Sequence, residues 1–208
     1  MKSVKDRDAS EALEMEILSV ALGHVRNHEM AIDGGANVGK WAMAMAPHFR
    51  AVMAFEPVGF SYQNLRERTD STPNIYPSPT ALWDSNMLLR MTHPKKRTSS
   101  TAYYAAPALE SAPGEGTEED CYASGIAIDT LNLDDCNLLK LDLEGAEVRA
   151  LRGASKTLRR CRPVVIVEVV ERQLRRYGDT PEGLDRLLRA HGYLKVAEQD
   201  PNRIYVPC

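Results

Sequence analysis

The chain has 208 residues, is 43% hydrophobic and 26% charged, and carries a net charge of −3, which fits one soluble globular domain with a substantial core. The acidic balance excludes a surface that coats nucleic acid along its whole extent, though it leaves room for a local basic patch. Cys121, Cys136, Cys161 and Cys208 contain no C-x-x-C pair, so neither a zinc ribbon nor a disulfide framework is expected, and reduced thiols in a cytoplasmic protein are the expectation.

The N-terminus, Met-Lys-Ser-Val-Lys-Asp-Arg-Asp, runs into acidic residues and does not read as a signal peptide. Residues 1–28 are read as a helical extension, with Ser10 capping a helix from Glu11 to Leu22. This helix is expected against the sheet edge or over a ligand site. Residues 29–208 are read as one domain in which strands and helices alternate, which implies a doubly wound, mainly parallel α/β sheet.

Residues 30–57 begin that domain. An apolar run ends in Asp33, then Gly34, Gly35, Asn37 and Gly39 make a glycine-rich turn, and an alanine- and methionine-rich helix follows over 38–46, stopped by Pro47. A second apolar run over 51–56 closes with Glu56-Pro57. Strand, glycine turn, helix, strand and terminal carboxylate form a βαβ unit for a nucleotide-like ligand. The glycines allow left-handed backbone and close approach, and Glu56, roughly 20 residues on, is placed to accept from ribose hydroxyls. The spacing departs from G-x-G-x-x-G at Asn37. The unit by itself suits a dinucleotide and S-adenosylmethionine equally.

Further along, a helix is expected over 60–68 and strands over 74–76, 80–83 and 87–91. Residues 92–125 are the least regular stretch, rich in Pro, Gly and Glu, and read as an insertion that is functional or disordered. Strands are expected over 125–129 and 137–143, then one helix over 146–160, a strongly strand-like run over 163–169, a helix over 182–190 capped by Thr180, and a closing hairpin from 193–197 and 203–206.

The strand at 137–143 breaks a rule. A parallel strand covered on both faces should be apolar throughout, yet Lys140, Asp142 and Glu144 alternate and so share one face. Three ionisable groups there are costly unless they pair, meet a ligand or reach a cleft. The alternative is an edge strand with a solvated face. The charges gather at the carboxyl end, where open α/β sheets bind ligands. Glu168 adds a carboxylate on the same rim and Glu171 follows, although both could pair at the surface with Arg172, Arg175 or Arg176.

The segments Ile-Asp-Gly-Gly-Ala-Asn-Val-Gly, Ala-Phe-Glu-Pro, Leu-Leu-Lys-Leu-Asp-Leu-Glu-Gly-Ala-Glu, Leu-Arg-Gly-Ala and Arg-Pro-Val-Val-Ile-Val-Glu-Val occur here in one order. Together they resemble the FkbM-type family of S-adenosylmethionine-dependent methyltransferases over roughly residues 30–195. The resemblance implies a seven-stranded Rossmann-like sheet with the last strand antiparallel, and O-methylation of a hydroxyl on a sugar, glycan or small natural product. It implies that Asp33, Gly35, Asn37 and Gly39, with neighbouring Gly34, surround the methionine part of S-adenosylmethionine and that Glu56, beside Pro57, holds the ribose. Ala81, with Asp84 nearby, falls at the adenine side, and Asp142 faces the sulfonium and the acceptor.

A hydroxyl is a weak nucleophile, so a base assists as its proton leaves. Asp142 is the candidate, with Lys140 and Glu144 tuning local charge; His93 is a rival, because imidazole titrates near neutrality. An NAD-dependent oxidoreductase is the alternative class, disfavoured because no substrate domain of the usual size follows. Nucleic-acid methylation would draw on Lys95, Lys96, Arg97, Tyr103 and Tyr104, a small basic group in an acidic chain. No His/Asp cluster with ligand spacing is present, so no metal is expected.

Overall fold

The computed structural model describes residues 4–92, 104–107 and 121–208. The elements in the first half are α1 (Val4–Leu22), β1 (Met30–Gly34), α2 (Lys40–Met45), β2 (Ala51–Phe55), α3 (Gly59–Thr69), β3 (Ile75–Ser78), β4 (Thr80–Leu82) and β5 (Met87–Thr92). The rest are β6 (Tyr104–Pro107), β7 (Cys121–Ile126), β8 (Leu138–Leu141), α4 (Glu147–Arg152), α5 (Ser155–Arg160), β9 (Val164–Glu168), α6 (Glu171–Leu174), α7 (Pro181–Ala190), β10 (Tyr193–Gln199) and β11 (Asn202–Pro207).

Seven strands form one sheet in the order β10-β11-β9-β8-β1-β2-β3. The five central and right-hand strands are parallel, and β11 runs antiparallel to both β9 and β10. The expected doubly wound sheet with an antiparallel last strand is therefore present. Strand β8 lies in its middle, between β1 and β9, and every one of its four residues is buried. The edge-strand alternative for this segment is excluded.

Alternation along β8 sorts the two faces. Leu139 and Leu141 join Ile32, Val165, Val167 and residues of α4 to α7 in one core, whereas Leu138 joins Ala31, Val164, Ile166 and residues of α1 to α3 in the other. Lys140 belongs by register to the second face. Helix α1 packs on that face through Ile17, Leu18 and Ala21 against the region of β9 and β11, so it covers the sheet rather than flanking its edge. Burying Ile17 and Leu18 contributes about 1.5–3 kcal/mol each.

Four further strands form a smaller sheet, β4-β7-β5-β6. Its core joins Ala81, Trp83, Leu89, Met91 and Ala123 to Ala146 at the start of α4. The stretch read from sequence as the least regular thus contributes two strands, β6 and β7. The strand expected over 125–129 ends at Ile126, and residues Ile128–Leu131 turn into a short 3-10 helix.

Two helix boundaries also differ from expectation. Helix α1 begins at Val4, so Ser10 is inside it and does not cap it; no Pro or Gly lies between Val4 and Ser10 to end the helix. The single helix expected over 146–160 is divided into α4 and α5. At the break, the Gly153 carbonyl accepts from the Asp129 N–H (2.8 Å) instead of continuing the helix. A Cβ at Gly153 would lie 2.0 Å from the Trp83 carbonyl oxygen. Asp129 then caps α5, accepting from the Lys156 N–H (2.9 Å), the Thr157 N–H (2.8 Å) and the Thr157 hydroxyl (2.9 Å). Thr180 caps α7 as expected, accepting from the Gly183 N–H at 3.1 Å.

Asp129→Ala removes all three acceptor contacts at the α5 start. Urea unfolding should register a loss of about 1–2 kcal/mol, the range of a missing helix cap.

Candidate active site

The carboxyl ends of β1, β2, β8 and β9 lie side by side, and their terminal residues build one rim. Its anchor is Lys140. The ammonium is 3.1 Å from Asp33 and 3.8 Å from Asp142, with 3% of the lysine side chain and none of the Asp33 side chain exposed. It also donates to the carbonyls of Gly34 and Gly35, each at 3.3 Å, and stands 5.7 Å from the Trp41 ring centroid. Register explains the meeting, since Asp33 is the direct partner of Lys140 across the parallel pair. Burial pulls the ammonium down, but the charges of Asp33 and Asp142 outweigh it and hold Lys140 above the ordinary lysine range. Burial pushes the Asp33 carboxyl up, opposed by Lys140. Lys140 is thus a brace under the glycine turn, with its donors directed at the protein itself.

The turn is closely fitted to that brace. Gly35 has φ 71°, and a Cβ there would lie 1.8 Å from the Asp142 carbonyl oxygen. The close approach that requires a glycine is therefore to the end of β8. Gly34 ends β1 without a left-handed angle, while Asn37 and Gly39 both have positive φ. The Asn37 N–H donates to Glu56 Oε2 at 2.9 Å, and the Val58 N–H, just after Pro57, donates to Oε1 at 2.8 Å. Burial raises the Glu56 carboxyl to about 7 against these two donors. Each oxygen of an ionised carboxylate has a second lone-pair site, so Glu56 can still accept from a vicinal diol. The donor set fits a ribose-bearing ligand.

Beyond Leu141 the chain leaves the strand. Asp142 keeps 36% of its side chain exposed. Glu144 has φ 56° and Gly145 φ 107°, so the expected alternation of three charges on one strand face stops after Asp142. The Glu144 carboxylate instead accepts from the Gln173 amide. A Cβ on Gly145 would lie 2.4 Å from the Gln173 carbonyl oxygen, which reserves that position for glycine. Burial, then the charge of Asp142, raises the Glu144 carboxyl, with Arg176 and Arg172 opposing.

Glu147 was not among the expected site residues and organises this turn. It is buried and accepts from the Leu143 N–H (2.7 Å) and the Gly145 N–H (3.1 Å). Burial raises it to about 7. Its signal was in the sequence: a glutamate in the first turn of a helix, placed to reach back to free amides. Trp41, the other omission, is the bulky residue of an alanine- and methionine-rich helix. Of the two later acids, Glu171 pairs at the surface with Arg175 (2.5 Å). Glu168 does not follow it: it ends β9 on the rim, and burial, then the charge of Asp142, push its carboxyl up to about 9.

Of the expected adenine-side residues, Ala81 is on β4 of the smaller sheet and Asp84 is in the turn between β4 and β5. Ala81 is buried in that sheet's core, while Leu82 reaches the glycine turn, 2.8 Å from where a Gly34 Cβ would be. The Asp84 carboxylate pairs with Arg149 (2.9 Å) and accepts from Ser85 (3.0 Å). Arg149 also lies 5.8 Å from the Trp83 ring centroid. His93, Lys95, Lys96, Arg97 and Tyr103 lie outside the described residues. Among the described residues, no group of three or more His, Cys, Asp or Glu side chains could hold a metal ion, and no helix is long and apolar enough to cross a membrane.

Sheet order and rim define a Rossmann-like methyltransferase fold. The Methyltransferase FkbM domain model matches residues 33–195, and the chain belongs to that family. A search of curated proteins finds no match. Among solved structures, the chain is similar to a methyltransferase FkbM from Methylobacillus flagellatus KT, with 17% identity and a TM-score of 0.62, over 88% of this chain and 45% of that one. The chain thus spans less than half of that relative's length. It is also similar to the N-methyltransferase NodS from Bradyrhizobium japonicum WM9, with 10% identity and a TM-score of 0.53 over the whole of both chains. The likeness extends to NodS in complex with S-adenosyl-L-homocysteine, with 10% identity and a TM-score of 0.51 over 99% of this chain and 87% of that one.

Lys140→Met leaves Asp33 buried without its counter-charge. Equilibrium unfolding should show a loss of about 3–5 kcal/mol, the range for breaking a buried pair from one side.

Proposed function

We propose that the chain is an S-adenosylmethionine-dependent methyltransferase that methylates a hydroxyl of a sugar, glycan or small natural product. Residues 29–208 form its catalytic domain and residues 1–28 a helical extension. The observation that carries the reading is the pairing of a ribose-competent Glu56 at one strand end with a half-exposed Asp142 at another, both fixed through the same glycine turn. Family membership favours methyl transfer over hydride transfer, and the NodS complex supports the choice of cofactor.

In this reading Asp33, Gly34, Gly35, Asn37 and Gly39 surround the methionine part of S-adenosylmethionine, and Glu56 with Pro57 holds the ribose. The segment of Ala81 and Leu82 borders the adenine, with Asp84 behind it in its pair with Arg149. S-adenosylmethionine supplies a methyl group already made electrophilic by its sulfonium. What remains for the chain is alignment, which removes several kcal/mol of barrier when the reacting atoms are held in place, and proton removal. Asp142 takes the proton of the acceptor hydroxyl. A carboxylate suffices, because an oxygen that has begun to bond to carbon becomes far more acidic than the free hydroxyl. Lys140 holds Asp142 and the turn in register, and Glu144 keeps the adjoining turn closed through Gln173.

Glu56→Ala should weaken S-adenosylmethionine binding by about 1.5–3 kcal/mol, the scale of a charge-assisted hydrogen bond; unchanged affinity in calorimetry would remove Glu56 from the site. Screening glycans and hydroxylated small molecules for S-adenosylhomocysteine release identifies the acceptor. With that acceptor, Asp142→Asn should lower turnover by about 10²-fold or more, the range for a general base, while cofactor affinity is retained. Full turnover in this variant contradicts the role given to Asp142.

A further inference from the structure

Glu168 ends β9 where the register places it beside Asp142. The pairs Lys140↔Ile166 and Leu141↔Val167 run directly into that position, on the face that holds Lys140. That register brings the two carboxyl groups together at the rim, where the charge of Asp142 acts on Glu168. Two ionised carboxylates have acceptors only, so a hydrogen bond between them requires a proton on one. We propose that Glu168 is a positioning residue: its carboxyl keeps that proton and donates it to Asp142, fixing Asp142 as the oriented anion that receives the acceptor proton. The inference rests on Asp142 being the base, and it adds the group that aims it.

The surroundings determine which member holds the proton. From β8, Glu168 meets Asp142 and, further off, Lys140. From the turn and the start of α4 it meets Glu144 and Glu147, both acidic. Its register partner on β11 is the uncharged Asn202, and α1 covers this side of the sheet with Ile17, Leu18 and Ala21. Burial first, then the charge of Asp142, push Glu168 up to about 9. Asp142 is also 3.8 Å from the Lys140 ammonium, which stabilises its charge. One Asp142 oxygen can then accept from Glu168 while the other is free for the acceptor. As the acceptor O–H bond breaks, its electron pair stays on oxygen and the proton passes to the free Asp142 oxygen. Glu168 keeps its own proton throughout.

The test uses the full-length protein with Glu168→Gln and Asp142→Asn variants. Carboxyl carbon NMR should find a Glu168 resonance that titrates far above the ordinary glutamate range, falling by at least about one pH unit in Asp142→Asn, where the neighbouring charge is gone. A Glu168 that titrates in the ordinary range, or that ignores Asp142→Asn, overturns the proposal. Stability gives a second readout. A carboxyl raised from 4.5 to about 9 binds its proton more tightly when folded, so it loses stability as pH rises through that window. Gln keeps an N–H donor and cannot ionise. Glu168→Gln should therefore raise the thermal midpoint relative to wild type more at about pH 8 than at about pH 5, and an equal change at both contradicts the proposal. S-adenosylmethionine titration of the same samples separates the two levels. Failure to bind defeats the methyltransferase reading, whereas binding with an ordinary Glu168 titration defeats only the carboxyl pair.

Discussion

The site depends on one buried ion pair between adjacent central strands. A lysine in the interior of a parallel sheet is tolerable only with its charge compensated and its donors used. Lys140 meets both conditions through Asp33, Asp142 and the carbonyls of Gly34 and Gly35. The same contacts tie the turn after β1 to the end of β8. Removing the pair in favour of apolar side chains could leave the sheet as stable, but it would release the turn from the strand that carries Asp142. The pair is therefore understood through what it positions.

From this brace the rest of the rim follows by register. Asn37 hands the turn on to Glu56 through a backbone N–H, and the Gly35 position admits no side chain because the Asp142 carbonyl is there. The carboxylates of Glu56 and Asp142 are thus mechanically linked. The second linkage runs outward from Asp142 through the turn that Glu147 closes by accepting from two backbone N–H groups, and the register brings Glu168 at the end of β9 alongside it. Acids accumulate on this side, and burial raises Glu56, Glu147 and Glu168 together.

Much of this was legible in the residues. Val164 to Val167 and the run ending at Asp33 are strands by composition, and the alternation of Lys140 and Asp142 marked a strand with charge gathered at its carboxyl end, which the sheet places at the centre. What alternation could not express was where the strand stops. Glu144 looks like the next member of the series, but Gly145 and the amide-accepting Glu147 turn the chain left-handed at that point. The division of α4 from α5 was hidden for a related reason. Gly153 is tolerable within a helix, and its meaning comes from Trp83 and Asp129, both distant in sequence. Glu168 and Glu171 look alike in sequence, and only the sheet separates an acid facing Asp142 from one facing Arg175. The smaller sheet pairs β4 with β7 across a long stretch of chain, a contact that no local pattern encodes.

The central claim is that the turn braced by Lys140 holds S-adenosylmethionine. Calorimetric titration of the intact protein with S-adenosylmethionine and, separately, with NAD tests it most directly. The account predicts saturable one-to-one binding of S-adenosylmethionine, competed by S-adenosylhomocysteine, and no binding of NAD. Saturable NAD binding, or no response to S-adenosylmethionine, would contradict it.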